Sequence, residues 1–583
     1  MVLDAGGQYC HLIARKVREL GVYAEVRPSH TPASRLAETL GLILSGGPAS
    51  VNEPGSPAVD PALFATGRPA LGICYGHQLM AHVLGGRVEP GERGEFGLAQ
   101  LDITSVSPLF AGLDPARRQV WMSHRDLVVG LPPGFEPLAR TDTCPVAAMG
   151  HLSRRLYGVQ FHPEVVHTLQ GREILANFVF SICGCCQDWD PRRRIPGLLD
   201  HIREVAGNRN VFFFVSGGVD SSVAYTLCLR ALGRERVRGI YVDTGLMREG
   251  ETSFVRRISD AFAAGTIRVE DAADRFLQSL AGVCDPEEKR RIIGEQFVEV
   301  QEQILEEEHF LEGDWILGQG TIYPDTIESG GTALAAVIKT HHNRVPGIQR
   351  LVETGRVLEP LSFFYKDEVR EIGRELGLPE ELLARHPFPG PGLAVRCLCA
   401  TSEAWPERLA EGWRIPIRSV GVQGDSRSYQ PLLLLEGRPV PGAGLHDAAT
   451  RLINRMRDIN RVAALVAASA PLEQLRVCPS ALSPDRLERL RRADAIVRRL
   501  SHDSGFDRSV WQFPVILIPL GTPDRPDSVV LRPVDSTDGM TARSVEMDET
   551  LLDRMTAALL AIPGVCAVLY DLTHKPPATI EWE

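Results

Sequence analysis

The sequence predicts an α/β protein with two parallel-sheet α/β domains, followed by an α+β domain that contains a duplicated unit. The chain has 583 residues, which is enough for three or four domains. Short apolar segments alternate with helical ones through the first 396 residues, a rhythm typical of parallel sheets. Beyond residue 412, two similar strand-helix-strand patterns follow one another. Chance similarity of two such units is the alternative to duplication.

The first domain is predicted over residues 1–187. VLDAG, VYAEVRP, GLILSGG and PALGICYG are apolar segments that end at or near glycine or proline, which indicates strands followed by turns, and HQLMAHVLGG indicates a helix that ends at glycine. Residues 188–197, DWDPRRRIPG, are charged and contain two prolines. This composition predicts a linker.

The second domain is predicted over residues 198–396. VFFFV at 211–215 is a continuous apolar run, as a central parallel strand requires. A helix over 221–232 and the strand RVRGIYVD follow it. The segment HPFPGPGLAVR at 386–396 closes the domain, because its prolines and glycines preclude regular structure.

The remaining residues, 397–583, are predicted as one C-terminal domain with two related subdomains. IPIRSVGV near its start resembles FPVILIPL further on, and residues 452–466 resemble residues 551–570. In both copies a helix and a strand follow the first strand at a similar distance. Such repetition favours packing of one unit on the other, either within the chain or across a homodimer.

Composition excludes several classes of protein. Acidic residues outnumber basic ones by 74 to 63, a net charge of −11, which argues against a nucleic-acid-coating protein. No apolar run approaches 18 residues and no signal peptide is recognisable, so we expect no membrane partner. Twelve cysteines are too few for a disulfide framework in a chain of this length. These features favour a reduced, cytoplasmic setting.

A nucleophile is predicted where the strand before Cys74 runs into Gly-x-Cys-x-Gly and a helix follows. Flanking glycines permit the sharp turn that exposes a nucleophile, and a helix N-terminus favours thiolate. His162 and Glu164 follow a second strand about 90 residues on. The histidine can take the thiol proton while the glutamate orients the imidazole. The loop 45–48, Ser-Gly-Gly-Pro, offers backbone N–H groups for an oxyanion.

An anion site is predicted at SGGVDSS, residues 216–222, between an apolar strand and a helix. Small residues and free N–H groups at a helix N-terminus form such a cradle. The loop has no lysine and is not a Walker motif. A purely structural strand-helix turn is the alternative reading of a glycine-rich turn by itself.

GICYGHQ together with FHPE closely resembles the class I glutamine amidotransferases. The resemblance implies that Cys74 attacks the glutamine amide carbon, His162 serves as base and acid, and Glu164 orients the histidine. It also implies that the N–H groups of Gly47 and Tyr75 stabilise the oxyanion. The product of this half-reaction is ammonia.

SGGVDSS resembles the pyrophosphate-binding loop of the ATP pyrophosphatases, which transfer AMP to a substrate oxygen. The resemblance implies ATP as substrate and Mg²⁺ as cofactor, with Asp220 helping to hold the metal. The residues expected to bind ATP are Ser216, Gly217, Gly218, Val219, Asp220, Ser221, Ser222 and Asp243.

KPPATIEWE, HPFPGPGL, GTIYPDTIES, KTHHN and SVGVQGDSRSY resemble the GMP synthetase family, in its long, eukaryotic-type form. The resemblance covers nearly the whole chain. It implies ATP-dependent amination of XMP to GMP, with glutamine as amide donor and AMP and pyrophosphate as products. The residues expected to meet XMP are Arg290, Asp425, Gln512, Lys575, Ile580 and Glu581. Asp325 and Glu328 in GTIYPDTIES are further candidates for Mg²⁺.

Two residues depart from the family pattern. His77 stands where methionine is usual, and Arg125 stands where glycine is usual. Arg125 places a bulky side chain where the backbone normally approaches glutamine, which puts the glutamine affinity or the efficiency of the glutaminase half in question. Two other functions remain open. The chain could be a pyrophosphatase-type amidotransferase that acts on another acceptor. It could instead be a nucleotide-binding regulatory protein with an impaired glutaminase half.

Overall fold

The computed structural model describes the chain except for residues 8, 115–117, 263–264, 329–344, 424–425, 440–443, 457, 537–541 and 576. The described residues form two compact units, Met1–Arg194 and Ile195–Glu583. The break between these units falls inside the segment predicted as a linker. Among the described residues, no helix is long and apolar enough to cross a membrane.

The first unit is an α/β fold with a mixed sheet. Its strands are β1 (Val2–Asp4), β2 (Val26–Pro28), β3 (Leu42–Leu44), β4 (Ala70–Ile73), β5 (Arg87–Gln100), β6 (Asp102–Ile103), β7 (Gln119–Gly130), β8 (Glu136–Arg140), β9 (Ala148–His151) and β10 (Leu156–Val159). Its helices are α1 (Cys10–Glu19), α2 (Tyr75–Val83) and α3 (Gly171–Ala176).

The sheet of this unit runs in the order β2-β1-β3-β4-β10-β9-β8-β6. From β2 to β10 every neighbouring pair is parallel, as the sequence predicts, whereas β9, β8 and β6 extend the sheet antiparallel. Strands β5 and β7 form a separate antiparallel ribbon. Strands β4 and β10 are adjacent and parallel, so their carboxyl ends meet at one edge.

The second unit opens with a further α/β region. Its helices are α4 (Ile195–Ala206), α5 (Val219–Leu232), α6 (Glu251–Phe262), α7 (Ala273–Ser279), α8 (Pro286–Glu307), α9 (Tyr323–Glu328), α10 (Pro346–Glu353), α11 (Lys366–Glu375) and α12 (Glu380–Leu383). Its strands are β11 (Asn210–Phe214), β12 (Val237–Asp243), β13 (Ile267–Asp271), β14 (Trp315–Gly318) and β15 (Val357–Leu358).

These strands form an all-parallel sheet in the order β13-β12-β11-β14-β15. The chain winds outward from β11 in both directions, so the order of the strands reverses between β11 and β14. In open α/β sheets, ligands bind beside the carboxyl ends of the strands at such a reversal point. The predicted anion loop, residues 216–222, follows β11 and therefore begins at this point.

The C-terminal part of the second unit is α+β. Its strands are β16 (Glu407–Arg408), β17 (Trp413–Gln423), β18 (Ser426–Glu436), β19 (Arg461–Ala468), β20 (Arg476–Val477), β21 (Val515–Ile518), β22 (Leu520–Gly521), β23 (Asp527–Leu531), β24 (Val534–Asp535), β25 (Arg543–Ser544) and β26 (Val565–Asp571). Its helices are α13 (Leu445–Arg455), α14 (Pro484–Ser504) and α15 (Glu549–Leu560).

The predicted duplication is visible in the connectivity of this sheet. Strands β17, β18, helix α13 and strand β19 form one β-β-α-β unit, and β21, β23, α15 and β26 form another. In each unit the first pair of strands is antiparallel and the second pair is parallel. The units join where β19 pairs antiparallel with β26, giving the order β16-β17-β18-β19-β26-β23-β21. The duplicated units therefore join edge to edge in one sheet within a single chain.

The α/β region and the C-terminal sheet share one apolar core. This core contains Phe212 and Leu317 of the parallel sheet together with Leu531 and Tyr570 of the C-terminal sheet. The boundary that the sequence predicts at residue 396 therefore does not separate two cores. The segment before it instead ends in a buried turn, Gly392–Arg396, against the C-terminal region.

Candidate active sites

Cys74 occupies a strained turn between strand β4 and helix α2. Its φ of 53° and ψ of −108° lie outside the regions that an L-residue favours. The two flanking glycines permit this turn because a Cβ on Gly72 would lie 2.4 Å from the carbonyl oxygen of Gly76. A Cβ on Gly76 would in turn lie 2.3 Å from the carbonyl oxygen of Leu44. The Gly-x-Cys-x-Gly pattern is thus a packing requirement of this elbow.

His162 and Glu164 form a buried pair near the elbow. Nδ1 of His162 lies 2.7 Å from Oε1 of Glu164, so this nitrogen carries the proton that the carboxylate accepts. The N–H of Cys74 donates to Val159 at the end of β10, three residues before His162. Burial lowers the pKa of His162, but Glu164 and then Cys74 outweigh it and raise the pKa to about 10. The three predicted catalytic side chains are therefore adjacent and electrostatically coupled.

The glycine loop after β3 lies against this group. A Cβ on Gly46 would lie 3.1 Å from Cε1 of His162 and 3.5 Å from Cβ of Cys74. A Cβ on Gly47 would lie 2.5 Å from the carbonyl oxygen of Ala5 and 3.4 Å from Cγ of Tyr75. The backbone of Gly47 thus approaches Tyr75, the first residue of α2, whose N–H has no acceptor within its own helix. This juxtaposition suits an oxyanion hole.

The two residues that depart from the family pattern lie in different surroundings. Arg125 is exposed on β7, two residues from Ser123, whose carbonyl oxygen lies 3.6 Å from the Cys74 sulfur. His77 is completely buried, and a Cβ on Gly158 would lie 2.4 Å from its Nδ1. Burial, and then the nearby His124, lower the pKa of His77 to about 3. Arg125 therefore lies two residues along β7 from the carbonyl that contacts the thiol, whereas His77 is a neutral core residue.

In the second unit, the predicted anion segment 216–222 follows β11 and includes the first turn of α5, which begins two residues before the predicted start at 221. Gly217 has a φ of 75°, which few residues other than glycine adopt. Serine hydroxyls brace the loop, because Oγ of Ser216 and Oγ of Ser221 lie 3.0 Å apart and Ser222 Oγ donates to the Gly218 carbonyl at 2.8 Å. Val219 begins helix α5. The loop presents the helix N-terminus that an anion requires.

Asp220 lies in the first turn of α5 beside a cation. Its Oδ2 accepts from Nζ of Lys366 at 3.4 Å, while its buried Oδ1 has no hydrogen-bond partner among the described residues. Burial raises the pKa of Asp220, Lys366 opposes this shift, and Asp325 adds to it. Carboxylate oxygens are the donors that Mg²⁺ prefers, so the free Oδ1 with a second carboxylate nearby fits such a metal. The side chain of Glu328, the other predicted Mg²⁺ candidate, lies outside the described side chains.

The carboxyl ends of the neighbouring strands complete this site. Asp243 ends β12, and its carboxylate accepts from the N–H of Gly245 at 3.0 Å and from Thr252 Oγ1 at 2.6 Å. A Cβ on Gly320, two residues beyond β14, would lie 2.7 Å from the N–H nitrogen of Ser221. The carboxyl ends of β12 and β14 therefore flank the end of β11, from which the anion loop starts.

Part of the predicted XMP site gathers around Glu581. Its Oε1 accepts from Nη2 of Arg396 at 2.6 Å and from Nε2 of Gln512 at 3.3 Å. Its Oε2 accepts from Nε of Arg396 at 2.7 Å. Arg290 on α8 donates to the backbone oxygen of Glu583, two residues away. The structure thus places Arg290 and Gln512 against the C-terminal residues, to which Glu581 belongs.

Two other predicted XMP residues make contacts through their backbone groups. The carbonyl of Ile580 accepts from Nε of Arg532 at 3.0 Å. Lys575 is held by its backbone, which pairs with Ala542 in both directions. Asp425 lies outside the described residues. The XMP roles of these residues remain predictions.

Two arginines at these sites were not predicted from the sequence. Arg385 donates to the carbonyl of Gly217 at 3.2 Å and to Glu251 at 2.6 Å, and so clamps the anion loop. Arg396 is the bidentate partner of Glu581. Arg385 directly precedes the HPFPGPGL motif and Arg396 lies three residues after it, so this motif is the sequence signal that could have indicated them. Arginine is so frequent in this chain that neither stands out by composition.

Comparison with family models supports the order of the segments. Residues 1–182 match the model described as glutamine amidotransferase class-I. Residues 193–282 match the NAD synthase model, and residues 500–582 match the model of the GMP synthase C terminal domain. The first match contains the Cys74 elbow, and the second contains the anion loop.

Full-length relatives agree with these matches. A protein of Leptospira interrogans, named a probable glutamine-hydrolyzing GMP synthase, is 42% identical over 603 aligned residues, covering 100% of this chain and 99% of that protein. The GMP synthase of Thermomicrobium roseum is 41% identical over 596 residues, covering 100% of this chain and 96% of that protein. The predicted family is thereby confirmed, and the chain belongs to the glutamine-hydrolysing GMP synthases.

Proposed function

We propose that the chain is a carbon–nitrogen ligase that aminates XMP to GMP, using ATP and ammonia released from glutamine. The observation that supports this proposal is the presence in one chain of two groups of residues suited to the two half-reactions. One is the coupled group Cys74, His162 and Glu164, and the other is the braced anion loop at the reversal point of a parallel sheet. Full-length similarity to GMP synthases supports XMP as the acceptor.

The first unit carries out the glutaminase step. The Cys74 thiolate attacks the amide carbon of glutamine, and the negative charge that develops on oxygen meets the N–H groups of Gly47 and Tyr75. His162 protonates the leaving ammonia and then deprotonates the water that hydrolyses the thioester to glutamate. Glu164 holds the imidazole in the required tautomer through Nδ1. The strained elbow keeps the sulfur above the sheet edge.

The second unit activates XMP. The C2 oxygen of XMP attacks the α-phosphorus of ATP, pyrophosphate leaves into the anion loop, and an adenylated intermediate results. Ammonia then adds at C2, the C2–O bond breaks, and AMP departs with the original C2 oxygen while the added nitrogen loses a proton. Adenylation is needed because an unmodified carbonyl oxygen is a poor leaving group. Asp220 is the residue that would hold Mg²⁺, which supplies charge neutralisation for the phosphates when bound.

The C-terminal end of the chain recognises XMP. Arg290 and Lys575 supply positive charge for an anionic monophosphate, while Gln512, Glu581 and the backbone at Ile580 supply polar contacts. Asp425 belongs to this proposed set by its motif. We also propose a cytoplasmic location, which the twelve free thiols favour. We propose in addition that the protein forms a homodimer, and light scattering tests this oligomeric state.

A paired assay decides between this function and its alternatives. The purified protein is given XMP, ATP and Mg²⁺ with either glutamine or ammonia, and GMP is quantified by chromatography. GMP from both nitrogen sources is expected. No GMP from ammonia would overturn the proposal and favour another acceptor or a regulatory protein. GMP from ammonia alone would show that only the glutaminase half is impaired.

A further inference from the structure

Arg396 is a buried arginine whose guanidinium is dedicated to one carboxylate. It is inaccessible to solvent, at the end of the turn Gly392–Arg396. Its Nε and Nη2 donate to the two oxygens of Glu581 at 2.7 and 2.6 Å, and its cation lies 5.2 Å from the ring centroid of Phe388. A bidentate pair of this kind fixes the plane and the direction of the carboxylate as well as its charge.

The two partners differ in exposure, which assigns their roles. The side chain of Glu581 is 19% exposed, whereas that of Arg396 is 0% exposed. Part of the Glu581 side chain therefore reaches the surface, whereas the guanidinium of Arg396 lies beneath it. A ligand can reach Glu581 but cannot reach Arg396. Gln512 contacts the same carboxylate, so Glu581 is held from two sides.

We propose that Arg396 is a positioning residue that holds the Glu581 carboxylate in the orientation in which it accepts hydrogen bonds from the purine ring of XMP. This inference rests on the proposed function. The fork occupies one lone pair of each carboxylate oxygen, and Gln512 also donates to Oε1, so Oε2 keeps a lone pair that points away from Arg396. Lysine could supply the charge but not the planar fork, so it would leave the carboxylate free to rotate.

The surroundings of Glu581 also keep it ionised. The charged groups that face it are Arg396, Arg248, Arg290, Arg461 and Arg532. Burial raises the pKa of Glu581, but Arg396 and then Arg248 and Arg290 outweigh burial and lower the pKa. Among these arginines, Arg396 lowers the pKa of Glu581 the most. Its removal is therefore expected to let Glu581 take up a proton at a higher pH.

The test measures steady-state kinetics with ammonia, so that the glutaminase half plays no part. Arg396→Lys is expected to raise the KM for XMP about 10- to 100-fold, the range expected for a lost charge-assisted hydrogen bond, with the KM for ATP changed less than about threefold. In Arg396→Met the KM for XMP should also rise more steeply than in the wild type as the pH falls from 7 to 5.5. The titration of XMP itself is common to both proteins and cancels in this comparison.

A double-mutant cycle tests whether Arg396 acts through Glu581. If it does, Arg396→Lys combined with Glu581→Gln raises the KM for XMP no further than Glu581→Gln alone. Arg486→Lys is the matched control, because Arg486 is also a buried arginine with Nε and Nη2 on one carboxylate, that of Asp527. It should lower the unfolding temperature without changing the KM for XMP.

Several outcomes would overturn the inference. An unchanged KM for XMP in Arg396→Lys, additivity with Glu581→Gln, or an equal rise in Arg486→Lys would each do so. If Arg396→Lys does not fold, Glu581→Asp carries the test, because the shorter carboxylate loses the fork while keeping its charge. An unchanged KM for XMP in Glu581→Asp would then contradict the inference. Absence of GMP synthesis in the wild type would instead contradict the proposed function.

Discussion

The ammonium nitrogen of Lys366 lies 3.4 Å from Oδ2 of Asp220. Lys366 begins helix α11, and Asp220 lies in the first turn of α5, so the pair joins the N-termini of two helices at the anion loop. The other carboxylate oxygen, Oδ1, is buried and has no partner within the described part of the chain. This arrangement leaves one oxygen for a metal and places a compact cation beside the expected position of the phosphates.

Replacing Lys366 by methionine is expected to lower kcat/KM for ATP about 10- to 100-fold in the ammonia-dependent reaction, because one charge-assisted contact is lost. Initial rates of GMP formation at varied ATP concentration measure the effect. Lys16→Met is the matched control, since Lys16 pairs with Glu19 on the surface of the first unit. Equal kinetics of both variants would contradict a role of Lys366 at the loop.

Cys74→Ala is expected to abolish glutamine-dependent GMP synthesis while ammonia-dependent synthesis continues at close to the wild-type rate. The thiolate is required only for release of ammonia, and adenylation takes place in the other unit. The paired assay with glutamine and ammonia measures both. Cys186→Ala, which removes an exposed thiol of the same unit, should leave both activities intact. Loss of both activities in Cys74→Ala would show that the two halves depend on each other.

Arg125→Gly is expected to improve glutamine use. Arg125 is exposed on β7 close to the carbonyl of Ser123 that contacts the Cys74 sulfur, and glycine would allow closer backbone approach to the substrate. The KM for glutamine should fall up to about tenfold, which corresponds to about 1.4 kcal/mol. Arg140→Gly, an exposed change on strand β8, controls for general effects on the unit. No improvement over this control would show that Arg125 does not limit glutamine binding.

Features of the fold and of the sites that depend on residues close together in the sequence could be predicted. Cys74 and the anion loop lie in short motifs whose glycines are required by the turn itself, and the duplicated unit repeats a strand-helix-strand order. Contacts between distant parts of the chain could not be predicted in this way. Arg396 and Glu581 are 185 residues apart, and Lys289 donates to Glu583 across 294 residues. No spacing rule relates such charges, because only tertiary packing brings them together.

Glu164→Gln is expected to reduce glutaminase activity and to change the pH dependence of stability. The pKa of His162 is about 10 in the folded protein, against an ordinary value of 6.5, and Glu164 is the largest cause of the rise. A raised histidine pKa stabilises the folded state fully below pH 6.5, and this contribution is lost as the pH rises to about 10. The wild type should therefore exceed Glu164→Gln in free energy of unfolding most at pH 6.

Urea unfolding at pH values from 6 to 10 measures this difference, with the stability of both proteins compared at each pH. The advantage of the wild type should shrink steadily across the range. Glu173→Gln, on helix α3 of the same unit, is the control and should show no such trend. A difference that stays constant from pH 6 to 10 would contradict the proposed ionic pair.

Asp571→Asn is expected to destabilise the second unit by about 3–5 kcal/mol, the usual cost of removing one partner from a buried ion pair. Oδ2 of Asp571 lies 2.8 Å from Nη1 of Arg461 and 2.7 Å from Nη1 of Arg532, and all three side chains are inaccessible to solvent. Trp582 Nε1 also donates to this oxygen at 2.9 Å. The amide leaves two buried cations without a counter-charge. Asp535→Asn, which removes an exposed partner of Arg543, should cost less than about 1 kcal/mol.

Asp571→Asn should also impair XMP binding, because Asp571 pairs with Arg461, and Arg461 in turn binds the backbone of the C-terminal residues. Nη2 of Arg461 donates to the carbonyls of Thr579 and Glu581 at 2.9 and 2.7 Å. Loosening Arg461 therefore loosens the backbone on which the Glu581 carboxylate is carried. Urea unfolding and the KM for XMP, measured on Asp571→Asn and Asp535→Asn together, test both parts. A stable Asp571→Asn with a raised KM would still support the positional role, whereas equal behaviour of the two variants would contradict it.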